Sequence, residues 1–204
     1  MCVCDSGSMD DERRRFAGRL YEESHAHDQA LSDRLERFRN VEPPTAALLG
    51  VLIRATGARR ILELGTSNGY STIWLADAAQ ACGGRVVSVE IDASRVELAR
   101  ANLRGAGVAD VVEIRVGDAG DALGASGDGA WDFVFLDAER PAYAGYVDDL
   151  VRVLAPRGVL AVDNVLSHEH ELVEFTSLLS AVAGLTQTVV PVGAGLRLAV
   201  RDQL

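Results

Sequence analysis

The chain has 204 residues and a formal net charge of −10, which results from 30 acidic and 20 basic side chains. All 20 basic residues are arginine, so the chain contains no lysine. Because arginine stays protonated throughout the usable pH range, this composition excludes a Schiff-base lysine, a lysine general base and the lysine of a P-loop. The acidic balance also disfavours general affinity for nucleic acid, which depends on neutralising phosphates.

The remaining composition is that of an ordinary globular protein, with 48% apolar and 25% charged residues, and the length suits one domain. No apolar run approaches the ~18–20 residues that a membrane span needs, so no membrane partner is predicted. The three cysteines are too few for a disulfide framework, which favours a reducing, cytoplasmic location.

The N-terminal part of the chain predicts helices. Residues 1–12 are small, polar and acidic, and we predict that they are disordered. Apolar residues then recur near helical spacing, which predicts a helix over residues 13–39. The proline pair at 43–44 is expected to break this helix and to start another over Thr45–Thr56. Together they form a predicted helical cap, residues 13–57.

Residues 58–204 alternate between short β-branched runs and helical stretches. Strands are predicted at Arg60–Leu64, Arg85–Val89, Val111–Val116, Phe133–Leu136 and Val159–Val162. Helices are predicted at about 71–81, 93–105, 143–154 and 168–183, and an antiparallel hairpin at Thr186–Val192 and Leu196–Val200. This alternation predicts a parallel sheet covered on both faces, with ligands bound at the carboxyl ends of its strands.

The first three strand ends predict a nucleoside site. Gly65 and Gly69 lie in the turn after the first strand, where glycine allows close approach of a ligand. Glu90 ends the second strand and is suited to bind both ribose hydroxyls, and Asp118-Ala119 after the third could border an adenine. A nicotinamide dinucleotide stays possible on these residues alone, although the missing third glycine disfavours a pyrophosphate.

The fourth and fifth strand ends predict a metal site. Asp137 ends the fourth strand, and Asp163-Asn164 end the fifth. Neighbouring parallel strands lie roughly 4.8 Å apart, so the two carboxylates converge and would repel each other unless a proton or cation is shared. Their oxygens suit Mg²⁺, Ca²⁺ or Mn²⁺. The alternative is that one aspartate caps a helix while the other is solvated.

Taken together, the strand ends resemble one family. The segments are Gly65–Ser71, Val89–Asp92, Gly117–Ala119, Phe135–Glu139 and Val162–Val165. Over about residues 40–204 they resemble the cation-dependent, S-adenosylmethionine-using O-methyltransferases of the catechol and caffeoyl-CoA type. The resemblance implies an α/β fold: a single Rossmann-like class I methyltransferase domain whose seven-stranded, mostly parallel sheet ends in an antiparallel hairpin.

By position, the resemblance also implies roles for individual residues. The implied contacts of S-adenosylmethionine are Val41, Glu63, Gly65, Thr66, Ser67, Gly69, Ser71, Glu90, Ile91, Asp118, Ala119, Asp137 and Glu139. The implied ligands of a divalent cation, most simply Mg²⁺, with Ca²⁺ or Mn²⁺ as alternatives, are Asp137, Asp163 and Asn164. The implied catalytic residues are Asp137, Arg140 and His168.

Arg140 departs from the family pattern, which usually has a lysine base three residues after the first metal-binding aspartate. Arginine is a poor base and a good fixed cation. Three interpretations remain open. Arg140 stabilises an oxygen that the metal has already ionised; or a histidine, His168 or His170, acts as the base; or Arg140 is a surface residue that pairs with Glu139 or Asp148.

Three functions compete at this stage. The first is methylation of a small hydroxylated aromatic acceptor, by an enzyme that the family resemblance predicts to be a homodimer. The second is methylation of hydroxyuridine in tRNA, for which Arg13-Arg14-Arg15 and Arg59-Arg60 could form a local basic patch despite the acidic net charge. The third is binding of S-adenosylmethionine without catalysis, which the missing lysine motivates.

Overall fold

Seven strands form one sheet in the computed structural model, which describes residues 9–203. The strands are β1 (Arg60–Leu64), β2 (Arg85–Glu90), β3 (Val112–Val116), β4 (Trp131–Leu136), β5 (Leu154–Val162), β6 (Leu185–Val190) and β7 (Leu196–Arg201). The α-helices of the described residues are α1 (Asp11–Ala30), α2 (Pro43–Thr56), α3 (Tyr70–Ala81), α4 (Ala93–Gly105), α5 (Ala119–Ala125), α6 (Tyr143–Val153) and α7 (Val173–Ala181).

The strand order is β3-β2-β1-β4-β5-β7-β6. The first five strands pair in parallel, whereas β7 runs antiparallel to β5 and β6 antiparallel to β7. The predicted α/β sheet and its C-terminal hairpin are therefore confirmed. The chain moves outward from β1 to β3 and then returns to place β4 on the other side of β1, and such a reversal opens a crevice at the carboxyl ends of the strands.

Alternate residues of each central strand enter two different cores. Ile61 and Phe133 pack with residues of α2 and α3 on one face of the sheet. Leu62 and Val134 pack with residues of α6 and α7 on the other. All four side chains are buried, which explains why the strands read as continuous apolar runs in the sequence.

The N-terminal helix differs from the prediction at both ends. Asp10 caps it by accepting hydrogen bonds from the amides of Glu12 and Arg13, so Asp11 and Glu12 are helical rather than disordered. Residues 1–8 of the segment predicted to be disordered lie outside the described residues. The helix was predicted to continue to residue 39, and that is wrong, because it ends at Ala30.

Asp28 explains why α1 ends early. Its carboxylate accepts hydrogen bonds from the amides of Phe38 and Arg39, both at 2.8 Å. These bonds fold residues 31–42 back along the end of the helix, in place of further helical turns. Leu35, which the helical spacing had assigned to an apolar face, is 63% exposed.

Three further helical elements differ from the predictions. The prolines at 43–44 occupy the first turn of α2 instead of preceding it, because the first amides of a helix have no intrahelical partner to lose. The helix predicted over 168–183 is a short 3₁₀ turn at Glu169–Glu171 followed by α7. The seven-residue helix α5 was not predicted at all.

Candidate active site

A cavity of about 620 Å³ lies at the carboxyl ends of β1 to β5. Residues 31–42, which join α1 to α2 and are called the connecting segment below, contribute a further wall. The cavity brings together most of the residues that the sequence predicted for a site, namely Val41, Gly65, Thr66, Ser67, Ser71, Glu90, Ile91, Asp118, Ala119, Asp137, Glu139, Arg140, Asp163, Asn164 and His168.

Gly65 and Gly69 shape the turn after β1 in different ways. Gly65 has a φ of +103°, and a Cβ there would lie 2.1 Å from the carbonyl oxygen of Asp137. Only glycine therefore lets the ends of β1 and β4 meet in the cavity wall. Gly69 has a φ of +86° and caps α3, where it packs on Ala99. Gly69 is not among the residues that line the cavity, and its position at the start of α3 gives it a structural role.

Glu90 is held in place by backbone amides. Its Oε2 accepts a hydrogen bond from the amide of Ser67 at 2.8 Å, and its Oε1 accepts one from the amide of Asp92 at 3.0 Å. The side chain is 7% exposed and borders the cavity, next to the 70% exposed Ile91. Each carboxylate oxygen keeps a second lone pair, which is the arrangement that a pair of vicinal hydroxyls requires.

Glu63 lies beneath the cavity rather than in its wall. It is completely buried and accepts hydrogen bonds from the hydroxyls of Ser71, Thr72 and Ser88 at 2.5–2.6 Å. Its predicted direct contact with a cofactor is therefore not seen in the lining. Ser71 lines the cavity, and Thr66 lines it while bonding to Ser88. Glu63 thus positions the hydroxyls that face the cavity.

The burial of Glu63 predicts a dependence of stability on pH. Desolvation raises the pKa of this carboxyl from 4.5 to about 7, although the three hydroxyls oppose the rise. Between those values the folded state keeps a proton that the unfolded state has lost, so stability falls as the pH rises. In EDTA, we expect the wild-type free energy of unfolding to fall by about 2–3 kcal/mol more than that of Glu63→Gln between pH 5 and pH 8.

Urea unfolding at several pH values measures this difference. The exposed Glu97→Gln is the matched control and is expected to follow the wild type, because Glu97 pairs with Arg100 at the surface of α4. If the free energies of unfolding of the wild type and Glu63→Gln change with pH in parallel, the raised pKa of Glu63 is contradicted.

Asp118 combines a structural role with a place in the cavity wall. Its Oδ1 caps α5 by accepting hydrogen bonds from the amides of Gly120 and Asp121 at 2.7 and 3.2 Å. Tyr146, which sequence reasoning missed, also lines the cavity and lies against Gly120. No sequence signal marked Tyr146, because its position one turn after the buried Tyr143 of α6 resembles ordinary core spacing.

Asp137, Asp163 and Asn164 meet at the ends of β4 and β5. The amide nitrogen of Asn164 lies 2.9 Å from Oδ1 of Asp137 and 3.3 Å from Oδ2 of Asp163. Oδ1 of Asp163 is buried and has no hydrogen-bond partner among residues 9–203. Buried polar atoms are rarely left unpaired, so this oxygen marks a place for a ligand.

The surroundings of Asp137 and Asp163 disfavour the ionised form of both carboxyls. Burial raises the pKa of Asp137 to about 6. Burial and the charge of Asp137 raise the pKa of Asp163 to about 8. Within residues 9–203, no group of three or more His, Cys, Asp and Glu side chains forms a metal-binding cluster. The cluster here has only two carboxylates, and its third member is an amide.

The fold and this cavity agree with the comparisons with known proteins. The family model described as O-methyltransferase matches residues 29–201. The chain belongs to the O-methyltransferase family. It is 41% identical over 146 residues to the catechol O-methyltransferase of Mycobacterium tuberculosis, a match that covers 68% of this chain and 66%, just under two thirds, of that protein.

Two solved structures match almost the whole length of this chain. The O-methyltransferase TomG from Streptomyces achromogenes, involved in tomaymycin synthesis and solved with S-adenosylmethionine, is 32% identical. Its match covers 96% of this chain and 92% of that one, with a TM-score of 0.78. The O-methyltransferase from Bacillus cereus, solved with S-adenosylhomocysteine, is 28% identical over 98% of this chain and 95% of that one, with a TM-score of 0.79.

Arg140 is buried in the cavity wall. It is 6% exposed, and its Nε donates a hydrogen bond to Oε2 of Glu171 at 2.8 Å. The interpretation of Arg140 as a surface residue paired with Glu139 or Asp148 is therefore wrong. Among residues 9–203, none forms a hydrogen bond with its two terminal nitrogens, and Arg140 is one of the residues that line the cavity.

Glu139 pairs instead with two arginines of the connecting segment. Its carboxylate lies 2.7 Å from Arg39 and 3.4 Å from Arg34. Sequence reasoning missed both arginines and the neighbouring Asn40, whose buried amide nitrogen has no partner among the described residues. These residues reach the cavity only because Asp28 folds the segment back, and the helix predicted there concealed that.

The two candidate histidines occupy different surroundings. His168 lines the cavity, and its Nδ1 lies 2.8 Å from the hydroxyl of Ser167. Burial and the neighbouring charge of Arg140 lower the pKa of His168, which favours the neutral ring at pH 7. His170 has a side chain that is 80% exposed and does not line the cavity.

Three of the five arginines in the runs that motivated a tRNA substrate bond to acidic or carbonyl groups of other elements. Arg13 pairs with Asp77 and is 15% exposed. Arg60 pairs with Asp132, and Nε of Arg59 donates to the carbonyl of Cys82. Arg14 and Arg15 are exposed. Separately, none of the helices within residues 9–203 has the length and apolar character of a membrane span.

Proposed function

We propose that this chain uses S-adenosylmethionine and a divalent cation to methylate a hydroxyl of a small catechol-like or other metal-chelating acceptor. The observation that carries the proposal is that one cavity contains both a ribose-type acid and two adjacent aspartates, one of which has a buried oxygen without a hydrogen-bond partner among residues 9–203. Glu90 occupies the first half, and Asp137 and Asp163 occupy the second.

The part of the cavity around Glu90 would bind the cofactor. Its wall consists of hydrogen-bonding groups and of backbone that a ligand can approach closely. Glu90, fixed by two amides, would bind the ribose hydroxyls. Asp118-Ala119 would border the adenine, and Gly65, Thr66 and Ser71 the methionine portion, with Val41 from the connecting segment opposite them. When bound there, S-adenosylmethionine supplies a methyl group that is already activated.

The residues of the second half fit a divalent cation. Their donors are hard oxygens without a thiolate, which suits Mg²⁺ first and Ca²⁺ or Mn²⁺ next. A cation would neutralise the repulsion between Asp137 and Asp163 and occupy the unpartnered oxygen. The amide of Asn164 would turn so that its oxygen faces the cation, an orientation that is assigned rather than observed in structures. When bound, the cation lowers the pKa of an acceptor hydroxyl.

The chain's own residues then orient the acceptor. Arg140 would place its unbonded terminal nitrogens against the ionised acceptor oxygen, and Glu171 would hold the guanidinium in that direction. The neutral ring of His168 is the alternative acceptor of the proton. Positioning contributes most of the acceleration, because a bound methyl donor needs no further activation.

A methyl-transfer screen tests the proposal. Catechols, flavonoids and hydroxycinnamates are incubated with S-adenosylmethionine, once with Mg²⁺ and once with EDTA, and S-adenosylhomocysteine is measured. We expect turnover of vicinal diols that EDTA abolishes and Mg²⁺ restores. Turnover that survives full chelation would overturn the metal assignment. Cofactor binding without turnover of any acceptor would favour the non-catalytic function.

A separate filter-binding assay with a salt titration addresses tRNA. A tRNA-modifying enzyme should bind tRNA with an affinity that falls steeply as salt rises. We expect no such binding, because the net charge is −10 and two of the five arginines of the patch, Arg13 and Arg60, already form ion pairs.

The homodimer and the cytoplasmic location belong to the same proposal. The exposed apolar side chains of Val173 and Leu178 on α7 support an interface at that helix. Light scattering during gel filtration measures the mass, and a mass of one chain would contradict the dimer.

A further inference from the structure

Arg95, near the start of α4, joins the connecting segment to the part of the cavity around Glu90. Its side chain is 15% exposed and lines the cavity. Its Nη2 donates hydrogen bonds to the carbonyl oxygens of Leu35 and, at 3.0 Å, of Arg37. Because a charged donor forms stronger hydrogen bonds than a neutral one, two such bonds fix the position of the segment.

Two other elements bond to the same segment. Asp28 of α1 accepts hydrogen bonds from the amides of Phe38 and Arg39, both at 2.8 Å. The hydroxyl of Ser67, in the turn after β1, donates to the carbonyl of Phe38 at 2.9 Å. Arg39 has a φ of +54°, a backbone conformation that costs free energy in a residue other than glycine. Contacts from α1, α4 and the turn after β1 therefore hold a segment whose local conformation is unfavourable.

Both amides that fix Glu90 belong to residues that are linked to this segment. Ser67 donates its amide to Oε2 of Glu90 and its hydroxyl to the carbonyl of Phe38. Asp92 donates its amide to Oε1 of Glu90, and its own Oδ2 lies 3.9 Å from Nε of Arg95. The proposed ribose-binding acid and the connecting segment are therefore parts of one bonded network, so that displacing one affects the other.

The segment forms one wall of this part of the cavity, and the end of β2 forms another. Leu35 of the segment is 63% exposed, and Ile91, next to Glu90, is 70% exposed. Both side chains line the cavity. A ligand that contacts both walls would cover these apolar side chains, which is favourable. Its affinity would then depend on whether the segment stays in place.

We infer that Arg95 is a positioning residue for S-adenosylmethionine: it holds the carbonyls of Leu35 and Arg37, so that the connecting segment closes on a cofactor bound at Glu90. This inference rests on the proposed function, because it assumes that the ribose of the cofactor lies at Glu90. It gives Arg95 no part in methyl transfer itself, so loss of Arg95 should weaken cofactor binding without slowing the chemical step.

Arg95→Gln tests the inference, since glutamine is shorter and uncharged. Calorimetry with S-adenosylhomocysteine measures Kd, and steady-state methyl transfer gives kcat and KM for S-adenosylmethionine. We expect Kd and KM to rise about tenfold, the size of one or two charge-assisted bonds. We expect kcat at saturating cofactor to change less than about twofold. A fall in kcat with an unchanged Kd would overturn the inference.

Matched variants identify the group that is responsible. Arg95→Lys keeps a charged donor and should recover most of the affinity, whereas Arg95→Met keeps an apolar stem without a donor and should resemble Arg95→Gln. Arg95→Met is also the second variant if Arg95→Gln folds poorly. The control is Arg100→Gln, at an exposed arginine of the same helix that pairs with Glu97 outside the cavity. Its Kd should equal that of the wild type.

A double-mutant cycle shows whether Arg95 acts through the segment. Asp28→Asn weakens the hold of α1 on the segment, and Asp28 is not among the residues that line the cavity. If both residues act through the segment, Arg95→Gln should change Kd less than about threefold in the Asp28→Asn protein. Effects that multiply independently would mean that Arg95 contacts the cofactor directly, and the inference would be overturned.

Hydrogen exchange separates this inference from the proposed function, because it needs no ligand. In the ligand-free protein, Arg95→Gln should speed exchange of the amides of Phe38 and Arg39 about tenfold, while the amides of β1 and β4 keep their wild-type rates. If the wild type binds no S-adenosylhomocysteine, the proposed function fails, and faster exchange in the variant still supports the hold of Arg95 on the segment. Unchanged exchange at these two amides would overturn the inference.

Discussion

Replacing Asp163 with asparagine is expected to abolish the response to Mg²⁺ and to reduce kcat/KM for methyl transfer by more than about 100-fold, the upper range for residues that merely support a metal ligand. Asp163 is 2% exposed, and its Oδ1 is buried and meets no donor within residues 9–203. An asparagine keeps the shape of the side chain but removes the charge that a cation requires.

The same substitution should have the opposite effect on the metal-free protein. Burial and the charge of Asp137 disfavour an ionised Asp163, so Asp163→Asn should raise the melting temperature in EDTA while Mg²⁺ no longer raises it further. The affinity for S-adenosylhomocysteine should not change, because Glu90 and Ser67 are untouched. Asp149→Asn, at an aspartate that pairs with Arg152 on α6, is the matched control. Retained Mg²⁺ stabilisation in Asp163→Asn would remove this residue from the proposed site.

The strands and their carboxyl ends could be predicted because local pattern and topology agree. Runs such as Phe133–Leu136 are buried on both faces, and a parallel strand must then be followed by a crossover to the same edge. Residues that follow different strands, such as Asp137 and Asp163, therefore meet without any need to know the packing. The family and the fold predicted from these segments are confirmed.

The connecting segment could not be predicted, because its conformation depends on contacts that the local sequence does not indicate. Leu31, Leu35 and Phe38 have spacings that also occur on a helix face. Only the bonds from Asp28 to the amides of residues 38 and 39 show that the chain has left the helix. Arg34 and Arg39 of the connecting segment were missed for that reason. Glu171, which accepts a hydrogen bond from Arg140, was missed because the two residues lie 31 positions apart in the sequence.

Local capping could not be predicted from the sequence either. Asp118 was assigned to the adenine edge, yet it caps α5 as well, and a seven-residue helix with two glycines gives almost no periodic signal. Gly69 and Glu63 were predicted to contact a cofactor, yet both support the cavity without lining it. Sequence position identified the site, whereas packing decided which residues face it.

Replacement of Arg140 is expected to distinguish a fixed cation from a base. Arg140→Gln should reduce kcat by about 100-fold with little change in KM for S-adenosylmethionine, as is typical when a donor to a developing oxyanion is removed. The reason is that the buried guanidinium has unbonded terminal nitrogens facing the cavity and is fixed by Glu171. An increase in KM for the acceptor, with kcat unchanged, would instead assign Arg140 to binding of the acceptor.

Arg140→Lys provides the sharper result, because it introduces a group that can titrate into a chain that has no lysine. Arginine remains charged at every usable pH, so the wild-type pH–rate profile should contain no limb that belongs to residue 140. The lysine variant should add a rising limb as its amine loses a proton, and should retain more activity than Arg140→Gln.

Arg115→Lys is the control for this profile, since Arg115 forms an exposed pair with Glu113 on β3. Superimposable profiles for wild type and Arg140→Lys would place Arg140 outside the chemistry. In that case the neutral ring of His168 becomes the remaining candidate base, and His168→Gln should remove the limb that the wild type retains near the pKa of that histidine.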